Sequence, residues 1–221
     1  VPPPAKLGTM LLLGPPVLLF ALITWQVVVD GPLVDLDERL SRALVHPDRA
    51  SELLADLGNV QVALPVLVIA LAYAAWHGRA GGLDRWWLPP AAGAAVMVLV
   101  PVLVAPLKEW TDRPGTPAVP PAVGYYPSGH TATAVVAYGA ATLLLLPLLR
   151  SPAVRRALVV ACAALVAGAS YGLVRRGYHW PLDVAASWCL GAVLLICLSL
   201  LVSRSSRRRS AGTPSRRTGP S

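Results

Sequence analysis

The sequence predicts an all-α integral membrane protein, a single-domain bundle of about six transmembrane helices. Three observations predict it. Of 221 residues, 55% are hydrophobic and only 14% charged, against about 25% charged in an ordinary soluble domain. Mean hydropathy is +0.60. The apolar residues also gather into six runs, roughly 7–29, 59–77, 86–107, 131–149, 153–173 and 182–202, each near the ~20 residues that cross a bilayer core. A chain this short of polar surface cannot cover a soluble exterior, and its composition excludes disorder, a collagen-like chain and a disulfide scaffold. Its 22 prolines and 18 glycines suit loops and broken membrane helices, whose irregular backbone is buried in protein.

The first run carries Pro15 and Pro16, which predict a kink. No clear small-residue cleavage site follows it, so a retained anchor is expected. Between runs one and two, Leu33, Leu36, Leu40, Leu44, Leu53 and Leu57 recur at near-helical spacing. They predict one or two short amphipathic helices at the membrane surface, packing without chemistry. Cys162, Cys189 and Cys197 all sit in apolar runs and read as small membrane-core residues with no metal-ligand spacing. Twelve Lys and Arg fall on the side of the two termini and seven on the other. That bias places both termini in the cytoplasm of a multi-pass cell-membrane protein. Residues 1–203 form the six-span unit. Residues 204–221, with six arginines, form a basic flank expected to be disordered and drawn to anionic lipid headgroups rather than to nucleic acid.

In this layout three polar clusters share the extracytoplasmic side. Lys108 and Arg113 follow run three, Ser128-Gly129-His130 opens run four, and Arg175, Arg176, His179 and Asp183 surround the junction of runs five and six. Runs four and five form an out-and-back pair of roughly 30 Å each at 1.5 Å per residue, which returns the chain to the level of His130 at His179. A helix start at Gly129 offers free amides and a positive dipole end to phosphate, and Ser128 can add a hydroxyl. Lys108 and Arg113 supply full charge, arginine in a fork that grips two phosphate oxygens. His179 and Asp183, four apart on a helix entered through Pro181, give a base with an orienting carboxylate. One histidine can attack phosphorus while the other protonates the leaving oxygen. No carboxylate cluster accompanies them, so the expected chemistry needs no metal and no cofactor.

These residues resemble the type 2 phosphatidic acid phosphatase superfamily, whose pattern is Lys-x6-Arg-Pro, then Pro-Ser-Gly-His, then Ser-Arg-x5-His-x3-Asp. Pro127-Ser128-Gly129-His130 matches in full, His179-Trp-Pro-Leu-Asp183 matches the end of the third motif, and Lys108 opens the first. The resemblance covers about residues 59–202. It departs where the first motif's Arg-Pro is Gly115-Thr116, with Arg113-Pro114 two positions earlier, and where the third motif's Ser-Arg is Gly172-Leu173. The resemblance implies His179 as nucleophile, Asp183 as its orienter and His130 as general acid. Lys108, Ser128 and Gly129 would hold phosphate, with Arg113 a weaker carry-over. Arg175 or Arg176 would replace the arginine missing at Leu173 only from a locally unwound loop, because on a helix they point ~160–300° away from it. The implied activity is lipid phosphomonoester or diphosphate hydrolysis through a phosphohistidine, on a phosphatidate, phosphatidylglycerol phosphate or undecaprenyl diphosphate type of membrane lipid. The alternatives are a catalytically weakened member that binds or moves phospholipid, and a lipid phosphotransferase.

Overall fold

The structure, a computed structural model, describes residues 4–210. Eight α-helices account for most of it: α1 (Pro4–Val28), α2 (Pro32–Leu44), α3 (Arg49–Asp56), α4 (Val60–Ala80), α5 (Leu88–Thr111), α6 (Gly129–Leu145), α7 (Pro152–Arg175) and α8 (Pro181–Ser210). Six of them are long and apolar enough to cross a membrane. The expected spans therefore hold, with ends moved by a few residues. α1 runs unbroken through Pro15 and Pro16. α8 continues to Ser210, so helix extends into the first part of the basic flank; the remainder of that flank lies outside the described residues.

α6 is the axis of the bundle. Within its span 72% of the residues are buried, against 17–39% for the other five, and α4, α5, α7 and α8 all pack on it. The sequence of α6 explains this. It is built largely of Gly, Ala, Thr and Val, and between helices in lipid the gain comes from close backbone approach rather than from expelling water. The α6–α8 contact is reciprocal: a Cβ on Gly139 of α6 would collide with Leu195, and one on Gly191 of α8 with Val135. α1 packs outside α8, and α3 lies across α7.

The connections at the two ends differ. One end carries only the short links 81–87 and 149–151. The other carries α2 and α3, the 17-residue link 112–128 and the turn 176–180. Asp112, in the left-handed region, ends α5, and Gly177 at φ 73° reverses the chain between α7 and α8. Thr116 donates to the Gly177 carbonyl, tying the long link to that turn. The two amphipathic helices are present. On α2 the leucine row Leu36, Leu40 and Leu44 is exposed, while Asp37 and Ser41 face inward.

Candidate active site

Pro181 starts α8 with its fixed φ where no amide partner is needed, and this places Asp183 in the first turn. Asp183 is fully buried. Its Oδ1 accepts from Arg113 Nη1 at 2.6 Å, and its Oδ2 accepts from the Trp180 amide at 3.1 Å. The same Oδ2 lies 3.2 Å from His179 Nδ1. An ionised carboxylate there fixes the proton on Nδ1 and leaves Nε2 with its lone pair. The Tyr178 and His179 amides both donate to the Leu173 carbonyl, at 2.9 and 3.4 Å, so the end of α7 sets the height of the imidazole.

α6 brings the second histidine. Its N-terminus is pinned to α8 by two bonds, from the Ser128 amide to the Asp183 carbonyl at 3.2 Å and from Ser187 Oγ to the Ser128 carbonyl at 2.8 Å. The His130 and His179 rings are consequently 6.3 Å apart between centroids. Lys108, in the last turn of α5, donates to the Gly124 carbonyl at 2.8 Å, and the edge of Tyr125 meets His179 at 5.8 Å. These groups share a cavity of about 1010 Å³. Lys108, Gly129, His130 and His179 line its polar end, with Asp56 and Asn59 on a further wall. From there it continues as an apolar trough between α4 and α5, along Val60, Leu64, Met97, Val98, Pro101 and Val104. Val60 and Val98 are exposed on the outside of the bundle, so the trough opens sideways.

The PAP2 superfamily model matches residues 94–207, which hold all three polar clusters. The chain belongs to the PAP2 superfamily. A 67-residue stretch is 48% identical to an undecaprenyl-diphosphatase of Sulfolobus acidocaldarius, covering 30% of this chain and 28% of that protein's length. The fold is similar to the crystal structure of a transmembrane PAP2-type phosphatidylglycerolphosphate phosphatase from Bacillus subtilis. Its TM-score is 0.66 at 22% identity, over 91% of this chain and 98% of that one. With six apolar helices and this fold, the protein is a multi-pass membrane protein.

The structure divides the residues expected at the PAP2 site into two groups. His130, His179, Lys108 and Gly129 line one cavity, with Asp183 bound to His179 from behind. Arg113, Ser128, Arg175 and Arg176 do not line it. Ser128 is fully buried, and its hydroxyl caps α6 by accepting from the Thr131 amide at 3.2 Å. Arg175 pairs with Asp48 at 3.0 Å and Arg176 with Glu52 at 3.2 Å. α7 stays helical through Arg175, so the unwound loop that would turn either arginine inward is not formed. Gly172 stands in the motif's serine position because the α3 backbone passes there; any Cβ would overlap the Ala55 amide and the Ser51 carbonyl.

Arg113 is the largest departure. Its Nη2 contacts Asp37 Oδ2 at 2.6 Å while Nη1 holds Asp183, and it stacks over Trp180 at 5.5 Å. Expected to grip phosphate, it instead bridges two buried carboxylates. α2, expected to pack without chemistry, supplies the second of them. Burial pushes the Asp37 carboxyl above its ordinary range, opposed by the Arg113 guanidinium and the Leu182 amide. A signal was present in the sequence. Asp37 follows Leu33 by four residues and precedes Leu40 and Leu44 by three and seven, so a carboxylate borders the apolar stripe where burial without a partner is costly.

Proposed function

We propose that the protein is a lipid phosphatase that cleaves a phosphomonoester or diphosphate through a phosphohistidine, without a metal. The observation that carries the reading is a single cavity with two chemically distinct ends. The His179–Asp183 pair faces His130 and Lys108 at one end, and an apolar trough runs away from them between α4 and α5. Along α5 the trough spans Met97 to Lys108, ~16 Å at 1.5 Å per residue, or about half of a ~30 Å hydrocarbon core. A headgroup at Lys108 would thus leave its chain in the trough.

In the proposed reaction His179 Nε2 attacks phosphorus, the bond to the leaving oxygen breaks, and His130 gives that oxygen a proton. Asp183 stabilises the resulting imidazolium. Water then attacks the phosphohistidine, His130 takes the water proton, and inorganic phosphate leaves. Lys108 and the amides at the start of α6 hold the non-bridging oxygens. The relatives' names support phosphatidylglycerol phosphate and undecaprenyl diphosphate as the first substrates to offer. The distribution of basic residues supports cytoplasmic termini and a site on the outer side.

A second reading, a weakened member that binds or moves phospholipid, is favoured by one observation. Among the described residues lining the cavity, Lys108 is the sole lysine or arginine. Phosphate release by purified protein in detergent with EDTA, beside His179→Ala, separates the readings. Release that survives EDTA and vanishes in the variant is expected. No release from phosphatidate, phosphatidylglycerol phosphate or an undecaprenyl diphosphate analogue, by folded protein that still binds lipid, would overturn the phosphatase reading.

A further inference from the structure

We infer that Asp37 is a positioning residue of this site, holding the Asp183–His179 pair in register through Arg113 and through the first turn of α8. This rests on the phosphatase reading only for its kinetic consequence. Asp37 is almost fully buried. One of its oxygens takes Arg113 Nη2 at 2.6 Å and the other takes the Leu182 amide at 2.8 Å. It therefore grips both the guanidinium that holds Asp183 and the backbone next to Asp183. Removing three charges from water costs several kcal/mol per ion, and apolar side chains hold helices together without that penalty. What the triad adds is direction. A guanidinium anchored at both ends presents Nη1 to Asp183 in one orientation.

It also sets a charge balance. Asp37 neutralises Arg113, so the Asp183 charge remains available to the imidazole. Among the described residues, the other charged groups that line the cavity with His179 are Lys108 from α5 and Asp56 from α3. His130 of α6, Tyr125 and Tyr178 are the other titratable side chains on that lining. Arg175 and Arg176 are paired with Asp48 and Glu52. Without Asp37 the whole guanidinium charge acts on Asp183, and the imidazolium of His179 loses support.

The test compares Asp37→Asn, Arg113→Gln and the double variant with the wild type, all full-length in detergent. In Asp37→Asn, kcat falls roughly ten- to a hundredfold, as for loss of one charge-assisted hydrogen bond, with KM within about threefold. Histidine ¹⁵N NMR, which needs no substrate, shows the His179 Nδ1–H hydrogen bond to Asp183 weakened in Asp37→Asn, its ¹⁵N shifts moving toward a mixture of tautomers. His77 at the far end does not move. On the Arg113→Gln background the Asp37 substitution adds nothing to either readout. If Asp37→Asn alone does not fold because it strands Arg113, the double variant is compared with Arg113→Gln, and equal kcat and equal His179 ¹⁵N shifts support the inference. Unchanged His179 ¹⁵N shifts in Asp37→Asn, or losses in the two single variants that multiply in the double, would overturn it. A wild type that releases no phosphate while the His179 ¹⁵N shifts of Asp37→Asn move as stated would remove the phosphatase reading and leave the positioning role standing.

Discussion

Replacing Asp183 by asparagine separates the orienting carboxylate from the helix start it also serves. The carboxylate takes three donors, Arg113 Nη1 at 2.6 Å, the Trp180 amide at 3.1 Å and His179 Nδ1 at 3.2 Å. An amide has one acceptor oxygen. It can serve Arg113 or the His179–Trp180 side, and its NH₂ then opposes the donor on the other. Loss of the charged bond to the imidazolium is worth ~1.5–3 kcal/mol. An NH₂ against Nδ1 also favours the tautomer with the proton on Nε2, the nitrogen proposed to attack, and the same change costs a serine protease triad about 10⁴ in kcat. A drop of roughly 10²–10⁴ in kcat follows. Stranding a buried charge completely costs about 3–5 kcal/mol, but Arg113 keeps Asp37 at 2.6 Å, so the loss of stability should be near half of that. The assay is phosphate release from a lipid substrate at saturation, with thermal unfolding of the same preparation. A kcat within about fivefold of wild type in a variant that is merely less stable would refute the orienting role.

Met97→Trp places an indole in the trough ~16 Å from Lys108 by helix rise. kcat/KM for a long-chain lipid phosphate should fall by roughly tenfold or more, while a short water-soluble phosphate ester is hydrolysed at the wild-type rate. Gly172→Ser, which restores the family's residue, should destabilise the protein by about 1–3 kcal/mol, since overpacking here meets backbone rather than side chain; thermal unfolding reads it. The Asp48 carboxyl is lowered to about 2 by the Ser51 amide, then by Arg175 and the Ser51 hydroxyl. Because its folded value lies below the ordinary 3.8, the stabilisation is complete above pH 4 and is lost as pH falls toward 2. Hydrogen exchange should show α3 amides loosening over that window before those of α6. Ser51→Ala should speed α3 exchange about fivefold at pH 7, the usual worth of a cap.

The spans were legible because lipid imposes one simple demand, about twenty apolar residues in a row, and each run met it. The pairing of His130 with His179 was legible for the same reason, since two spans of known rise return the chain to its starting level. Side-chain direction was not legible in this way. Ser128 read as a hydroxyl for phosphate, yet a serine before a helix finds the nearest free amide, that of Thr131, first. Arg113 read as a phosphate ligand because its partner Asp37 is 76 positions away, and nothing local marks that pairing. Arg175 and Arg176 are drawn outward by Asp48 and Glu52, acids in a segment whose contact with α7 depends on Gly172 having no side chain. The leucine row of α2 showed its amphipathic character but not which sector met protein. That sector proved to be the narrow polar strip of Asp37 and Ser41 between the leucines and the surface charges.

The reciprocal seating of Leu195 on Gly139 and Val135 on Gly191 has a consequence for how such a protein can diversify. It joins α6 to α8, and with them His130 and Asp183, through a contact made by those two helices alone. The residues proposed to break the bond and the trough proposed to take the lipid tail therefore draw on different helices, apart from Lys108 at the tip of α5. Exchanging Val60–Ala80 and the first two-thirds of α5 for the equivalent helices of another member should carry over tail preference while leaving the reaction itself in place.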